Sequence, residues 1–154
     1  MRQYAQSDFA LLDPNDKFEE ERHPIYTPKR FYDVRIGEVF NSKYQFVGSL
    51  GFGVCSTVWL CKDLKYVPPT FPRKLMRTGF RDSQHKYVAI KNFVRDSTVG
   101  KRKYEAYILI GAWRAFHNGA KSVRTVLDGF HLDFADGSYQ CLVHKLLGIR
   151  LKDI

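Results

Sequence analysis

At 154 residues with 44% hydrophobic side chains, the chain has the size and apolar content of one globular domain with its own core. No apolar run approaches the roughly 18–20 residues of a membrane span, so contact with a membrane is not expected. Met1 to Asp16 holds neither a long apolar segment nor a small-residue cleavage site, and a secretory leader is not expected either. Cys55, Cys61 and Cys141 are an odd number in apolar, strand-like contexts. They read as reduced core thiols rather than a disulfide or metal set, which suits a cytoplasmic or nuclear protein. The net charge of +9 raises the question of nucleic acid. Residues 65–84 alone hold Lys65, Arg73, Lys74, Arg77 and Arg81 against Asp82, and the remaining charge is spread thinly with no interleaved aromatic stripe. Direct nucleic-acid binding is therefore not expected.

In chain order, residues 1–20 read as a flexible, polar lead-in and 21–154 as the folded domain. Glu19 to Arg30, with Pro24 and Pro28, extends as an arm toward Phe31 to Gly37. Tyr44 to Leu50 alternates and is rich in β-formers, which predicts a strand. Gly51-Phe52-Gly53 is expected to make the turn, and Ser56 to Cys61 the returning strand. Residues 65–84, with Pro68, Pro69 and Pro72 and no clear period, form an insertion before a third strand, Tyr87 to Val94. The period then changes. Over Lys101 to Phe116, Tyr104, Tyr107, Ile108 and Gly111 or Ala112 fall at helical spacing, and Gly119 after His117-Asn118 can supply the left-handed cap. Val123 to Leu132 and Tyr139 to His144 are two further strands around the hairpin signal Asp136-Gly137. The order predicts an α+β domain, a five-stranded antiparallel sheet packed on one main helix.

Chemistry concentrates in two places. In Leu50-Gly51-Phe52-Gly53, the glycines lack Cβ, so a hairpin tip can fold closely over phosphates and aim N–H groups at them. A dinucleotide-binding turn would open a helix here, yet Ser56-Thr57-Val58-Trp59-Leu60 is β-branched and aromatic. A plain glycine hairpin is the alternative when the stretch is taken alone. The second place is Val88-Ala89-Ile90-Lys91. Strand alternation puts Lys91 on one face with Ala89 and Phe93, and a half-buried lysine needs an anionic partner. Glycine hairpin, valine at Val58 and later strand lysine together resemble the ATP-gripping half of a protein kinase. That resemblance implies a helix glutamate to hold Lys91. Glu105, with Leu109 four residues on, is preferred, and Lys103 is the competing position. It also implies that adenine bonds to backbone groups around Lys145 and Leu147, with His144 lining the pocket and taking no chemical role.

Tyr26-Thr27-Pro28-Lys29-Arg30-Phe31-Tyr32, Val34-Arg35-Ile36-Gly37-Glu38, and Gly51-Phe52-Gly53 followed by Ser56-Thr57-Val58-Trp59-Leu60 make the likeness more specific. With Val123-Arg124-Thr125-Val126-Leu127-Asp128 and Cys141-Leu142-Val143-His144, they resemble the SR-protein kinase family, especially its divergent fungal members. The resemblance implies a kinase N-lobe fold and a serine/threonine kinase using ATP and magnesium. It further implies Arg/Ser-rich protein substrates in mRNA processing. The ATP contacts it implies are Leu50, Gly51, Phe52, Gly53, Ser56, Val58, Ala89, Lys91, Glu105, Lys145 and Leu147.

Departures from the family pattern are as informative. No His-Arg-Asp loop, magnesium-binding asparagine or Asp-Phe-Gly motif occurs, so no catalytic residue or metal ligand is assigned. Lys145 stands where the family usually has glutamate. The family also runs almost directly from a stretch like Leu60 to Leu64 into one like His85 to Lys91, whereas residues 65–84 intervene here. A retained intron and a true basic loop are both open origins for them. The leading expectation is an ATP-binding lobe without activity of its own. A non-catalytic pseudokinase or interaction module is the alternative, and a small basic RNA-binding protein ranks last.

Overall fold

The computed structural model describes residues 27–68, 85–113, 119 and 122–147. Six strands, β1 (Val39–Phe40), β2 (Tyr44–Gly53), β3 (Ser56–Asp63), β4 (Tyr87–Phe93), β5 (Val126–Phe134) and β6 (Gly137–Lys145), form one sheet in the order β1-β2-β3-β4-β6-β5. Every neighbouring pair is antiparallel. One helix, α1 (Thr98–Trp113), follows β4. The α+β reading therefore holds, with six strands in place of five. The extra strand, β1, is two residues long and reverses through Asn41 and Ser42, both at positive φ, with Lys43 N–H bonded to the Phe40 carbonyl at 3.0 Å. So short a strand carries no alternation for a sequence pattern to display.

The period-2 pattern divides the sheet into two faces. On one lie Phe40, Tyr44, Phe46, Cys61, Val88, Ile90, Cys141 and Val143, all buried, with Trp59, Phe130 and Leu132 packed beside them. The segment before β1 covers this face: the Tyr32 ring lies 5.1 Å from Phe40 and stacks on Phe134 at 5.2 Å, and its hydroxyl donates to Glu38 Oε1. Tyr44 reaches across to Asp128, donating to Oδ2 at 2.8 Å, and Lys43 bridges Asp128 and Asp63 at 3.5 and 3.8 Å.

The opposite face carries α1. Ser97 caps the helix by accepting from Gly100 N–H at 3.1 Å, so it starts three residues before the expected Lys101. A Cβ on Gly100 would stand 3.0 Å from Phe93 Cγ and 3.2 Å from Gln140 Cβ, so glycine lets the first turn sit directly on β4 and β6. Tyr104 lies over Gly129, and the Tyr107 ring meets His144 edge-on at 5.3 Å. The seated face is thus Gly100, Tyr104 and Tyr107. Ile108, expected to share it, is more than half exposed, as is Leu109.

Other boundaries move modestly. Gly51 to Gly53 extend β2, and the reversal falls at Val54-Cys55, because Gly53 still pairs with Ser56. Strand β5 begins at Val126 rather than Val123, and the β5–β6 turn is Ala135-Asp136, with Gly137 opening β6. The lead-in 1–20, most of the 65–84 insertion, and the expected cap residues His117 and Asn118 lie outside the described residues.

The close approach at Gly100 makes a stability test. Gly100→Val should lower unfolding free energy by about 1–3 kcal/mol through overpacking, measured by urea denaturation followed by circular dichroism.

Candidate functional site

Ladder register, rather than any loop, assembles the candidate site. Gly51 pairs with Val58, Val58 with Lys91, Lys91 with Leu142 and Leu142 with Gly129, so one row crosses five strands. A second row runs Gly48, Leu60, Ala89, His144 and Val126. Directly opposed residues share a face. Gly51, Gly53, Ser56, Val58, Ala89 and Lys91 therefore lie on the helix-bearing face, away from the aromatic core.

The hairpin is shaped for close approach. Register shifts at Val47 and Leu50 each place an extra residue in β2, which bends and coils the strand. Gly51 has φ of 149°, a conformation L side chains rarely adopt, and no atom lies within 4 Å of where its Cβ would project. The tip is tied down by Val94 N–H donating to the Cys55 carbonyl at 3.0 Å. Phe52 and Val54 are exposed at 42% and 56%, and Leu50 is also exposed, whereas Ser56 and Ala89 are buried. An open, Cβ-free backbone on the same face as a half-buried lysine fits a polyphosphate.

Lys91 carries the electrostatics. Burial lowers its pKa from the ordinary lysine value, the Lys103 charge lowers it further, the Cys55 thiol opposes, and Arg124 adds to the lowering. Its ammonium stands 5.5 Å from the centre of the Phe93 ring. Lys103 stands 5.8 Å from the same centre. Among the described residues, no carboxylate forms an ion pair with Lys91 or Lys103. The preferred expectation was that Glu105 would face Lys91. Instead α1 brings Lys103 to the same ring that Lys91 approaches; Lys103 and Glu105 are both exposed, and Glu105 is not at that ring. The reason is helical phase: Lys103 follows Gly100 by three residues and precedes Tyr107 by four, so it rides on the seated face.

The far end of the site lies where β6 finishes. Lys145 pairs with Val88, and its carbonyl accepts from Arg124 Nη2 at 3.2 Å, so one lone pair of the expected adenine acceptor has an internal partner. Leu147 is 64% exposed. His144 is buried under Tyr107, with Nδ1 3.2 Å from the Thr125 carbonyl, an acceptor that selects the Nδ1–H tautomer. Burial lowers its pKa, the Thr125 bond opposes this, and the Arg124 and Lys91 charges reinforce the lowering. It is a satisfied core histidine.

Among the described residues, no group of three or more His, Cys, Asp or Glu side chains could hold a metal ion. The donor set present does not fit magnesium. Among them also, no helix is long and apolar enough to cross a membrane. Arg124 was not singled out from sequence as a site residue. Its signal is an arginine at the mouth of β5, two residues before the strand that flanks β6.

No protein-family model matches the chain. Among curated proteins, it is 36% identical to a serine/threonine protein kinase of Aspergillus fumigatus, over 92% of this chain and 31% of that protein. It is 27% identical to human SRSF protein kinase 3 over 92% of this chain and 22% of that one. Serine/threonine-protein kinase SRPK of Physarum polycephalum is 28% identical, over 92% and 30% respectively. The chain thus spans under a third of the length of these relatives. Among solved structures, the crystal structure of a kinase domain superposes with a TM-score of 0.51 at 14% identity, covering 80% of this chain and 30% of that one. The fold is that of part of a kinase domain.

The buried histidine gives a pH prediction. Because folding holds the His144 pKa below its ordinary 6.5, the unfolded chain binds the proton first as pH falls. Stability contributed here is present above pH 6.5 and lost as pH drops below it. Melting temperature should fall between pH 7.5 and 5, and His144→Leu should flatten that slope.

Proposed function

We propose that this chain, an SR-protein-kinase-like polypeptide, serves as the ATP-binding lobe of a serine/threonine protein kinase. The observation that carries this reading is the row joining Gly51, Val58 and Lys91, which sets an open glycine backbone and a half-buried lysine on one face, away from the core. The Gly51 to Gly53 backbone, without Cβ atoms at its glycines, lets phosphate oxygens approach the hairpin closely, and Lys91 donates to them as a charged group. Leu50, Val58, Ala89 and Leu147 supply the apolar walls for the base, while Lys145 and Leu147 offer backbone bonds. ATP, when bound, supplies the transferable γ-phosphoryl group. At the level of its relatives, the whole protein would act on Arg/Ser-rich substrates in mRNA processing, in cytoplasm and nucleus.

Phosphoryl transfer needs magnesium ligands and a residue that orients the attacking hydroxyl, and no motif in the 154 residues supplies them. A second reading, a nucleotide-binding module without catalysis, is favoured by one specific observation: Lys103, not a carboxylate, is turned toward Lys91.

ATP should raise the melting temperature of the 154-residue chain, and Lys91→Met should weaken ATP binding about tenfold or more by removing a charged donor. The same polypeptide should transfer no measurable phosphate to an Arg/Ser peptide in Mg-ATP. Magnesium-dependent phosphorylation that Lys91→Met abolishes would refute the inactive reading.

A further inference from the structure

Two ammonium groups gather around one buried ring. Lys91 on β4 and Lys103 on α1 stand 5.5 and 5.8 Å from the centre of Phe93, which is 1% exposed. Arg124 lies close enough to act on both Lys91 and His144, and it is held in place by the Lys145 carbonyl. Among the described residues no carboxylate offsets Lys91, Lys103 or Arg124 by an ion pair. Lys91 is half-buried and Lys103 exposed; like charges brought to one ring repel, and an anion placed between them relieves that repulsion. A nucleoside triphosphate carries several negative charges, which one lysine alone leaves largely unneutralised. A divalent cation ordinarily makes up the difference. Here a second lysine, exposed on α1, approaches the same ring as a positive charge supplied by the fold.

We propose that the Lys91–Lys103 pair beneath the glycine hairpin binds a polyphosphate directly, without a divalent cation. The inference rests on the nucleotide-binding reading and deepens it. The helix supplies the charge that a metal would bring, at the seat fixed by Gly100 and Tyr107. Magnesium, by screening the phosphates, then competes with the lysines rather than assisting them.

Isothermal titration of the 154-residue chain with ATP, and separately with inorganic tripolyphosphate, in EDTA and in excess magnesium tests this. Binding in EDTA should equal or exceed binding in magnesium. Lys103→Glu should weaken binding in EDTA about tenfold, the loss of a charged contact, and make magnesium favourable. Lys101→Glu, an exposed change of the same charge on the same helix, should alter affinity by less than about twofold, as expected of a screened surface charge. Circular dichroism of each variant checks that the fold is intact. Binding that requires magnesium, or equal losses from Lys101→Glu and Lys103→Glu, overturns the proposal. Binding of tripolyphosphate in EDTA with no preference for ATP keeps the lysine pair and removes the nucleotide reading. Failure of both ligands to bind in either condition overturns both.

Discussion

The structure depends on a single antiparallel register. Gly51, Val58, Lys91, Leu142 and Gly129 line up across five strands, and that row joins the open hairpin at one end to the helix seat at the other. A slip of one residue in any of these strands would move its whole set of side chains to the other face. The aromatic core prevents it. Phe46, Cys61, Val88, Ile90, Cys141 and Val143 alternate with the site residues and are fully or almost fully buried. Exposing even one such side chain costs about 1.5–3 kcal/mol, so the core fixes which way Lys91 points. The site is in this sense a by-product of packing on the side away from it.

Helix α1 rests on the same row by a narrow seat. Gly100 allows close approach to Phe93 and Gln140, Tyr104 fills the space over Gly129 and Tyr107 meets His144, while Ile108 and Leu109 remain exposed. Helical phase then decides which charge meets Lys91. A residue three after Gly100 and four before Tyr107 must ride on the seated face, and that residue is Lys103. Replacing an expected attraction by a repulsion changes what the site is suited to hold. A lysine paired with a carboxylate is already satisfied. Two lysines that share one phenyl ring are open to an external anion.

Much of this was legible in the chain. Alternation through Tyr44 to Leu50 and Tyr87 to Val94 located central strands to within a few residues, because one buried face imposes period 2. The glycine hairpin and Lys91 were found as a pair through their resemblance to the ATP-gripping half of a protein kinase, and β3 and β4 do lie side by side. Strand β1 was not legible, since two residues have no period. The turn was placed at Gly51 to Gly53 because glycine favours turns, yet these residues stay paired and bulges at Val47 and Leu50 absorb the bend. Glu105 was preferred over Lys103 because it is the acid of the helix and has Leu109 four residues on, a spacing that does not report helical phase. The cap at Ser97 and the tight fit at Gly100 set that phase, and tertiary contact alone reveals that fit.

The central claim, that the face bearing Gly51 and Lys91 is the ligand face, has a direct test in backbone amide NMR of the 15N-labelled chain titrated with ADP in EDTA. The account predicts saturable shifts at Gly51, Phe52, Gly53, Lys91 and Lys103, with Tyr32, Phe46 and Phe134 on the opposite face unmoved. Shifts confined to that opposite face, or none at the hairpin and Lys91, would contradict it.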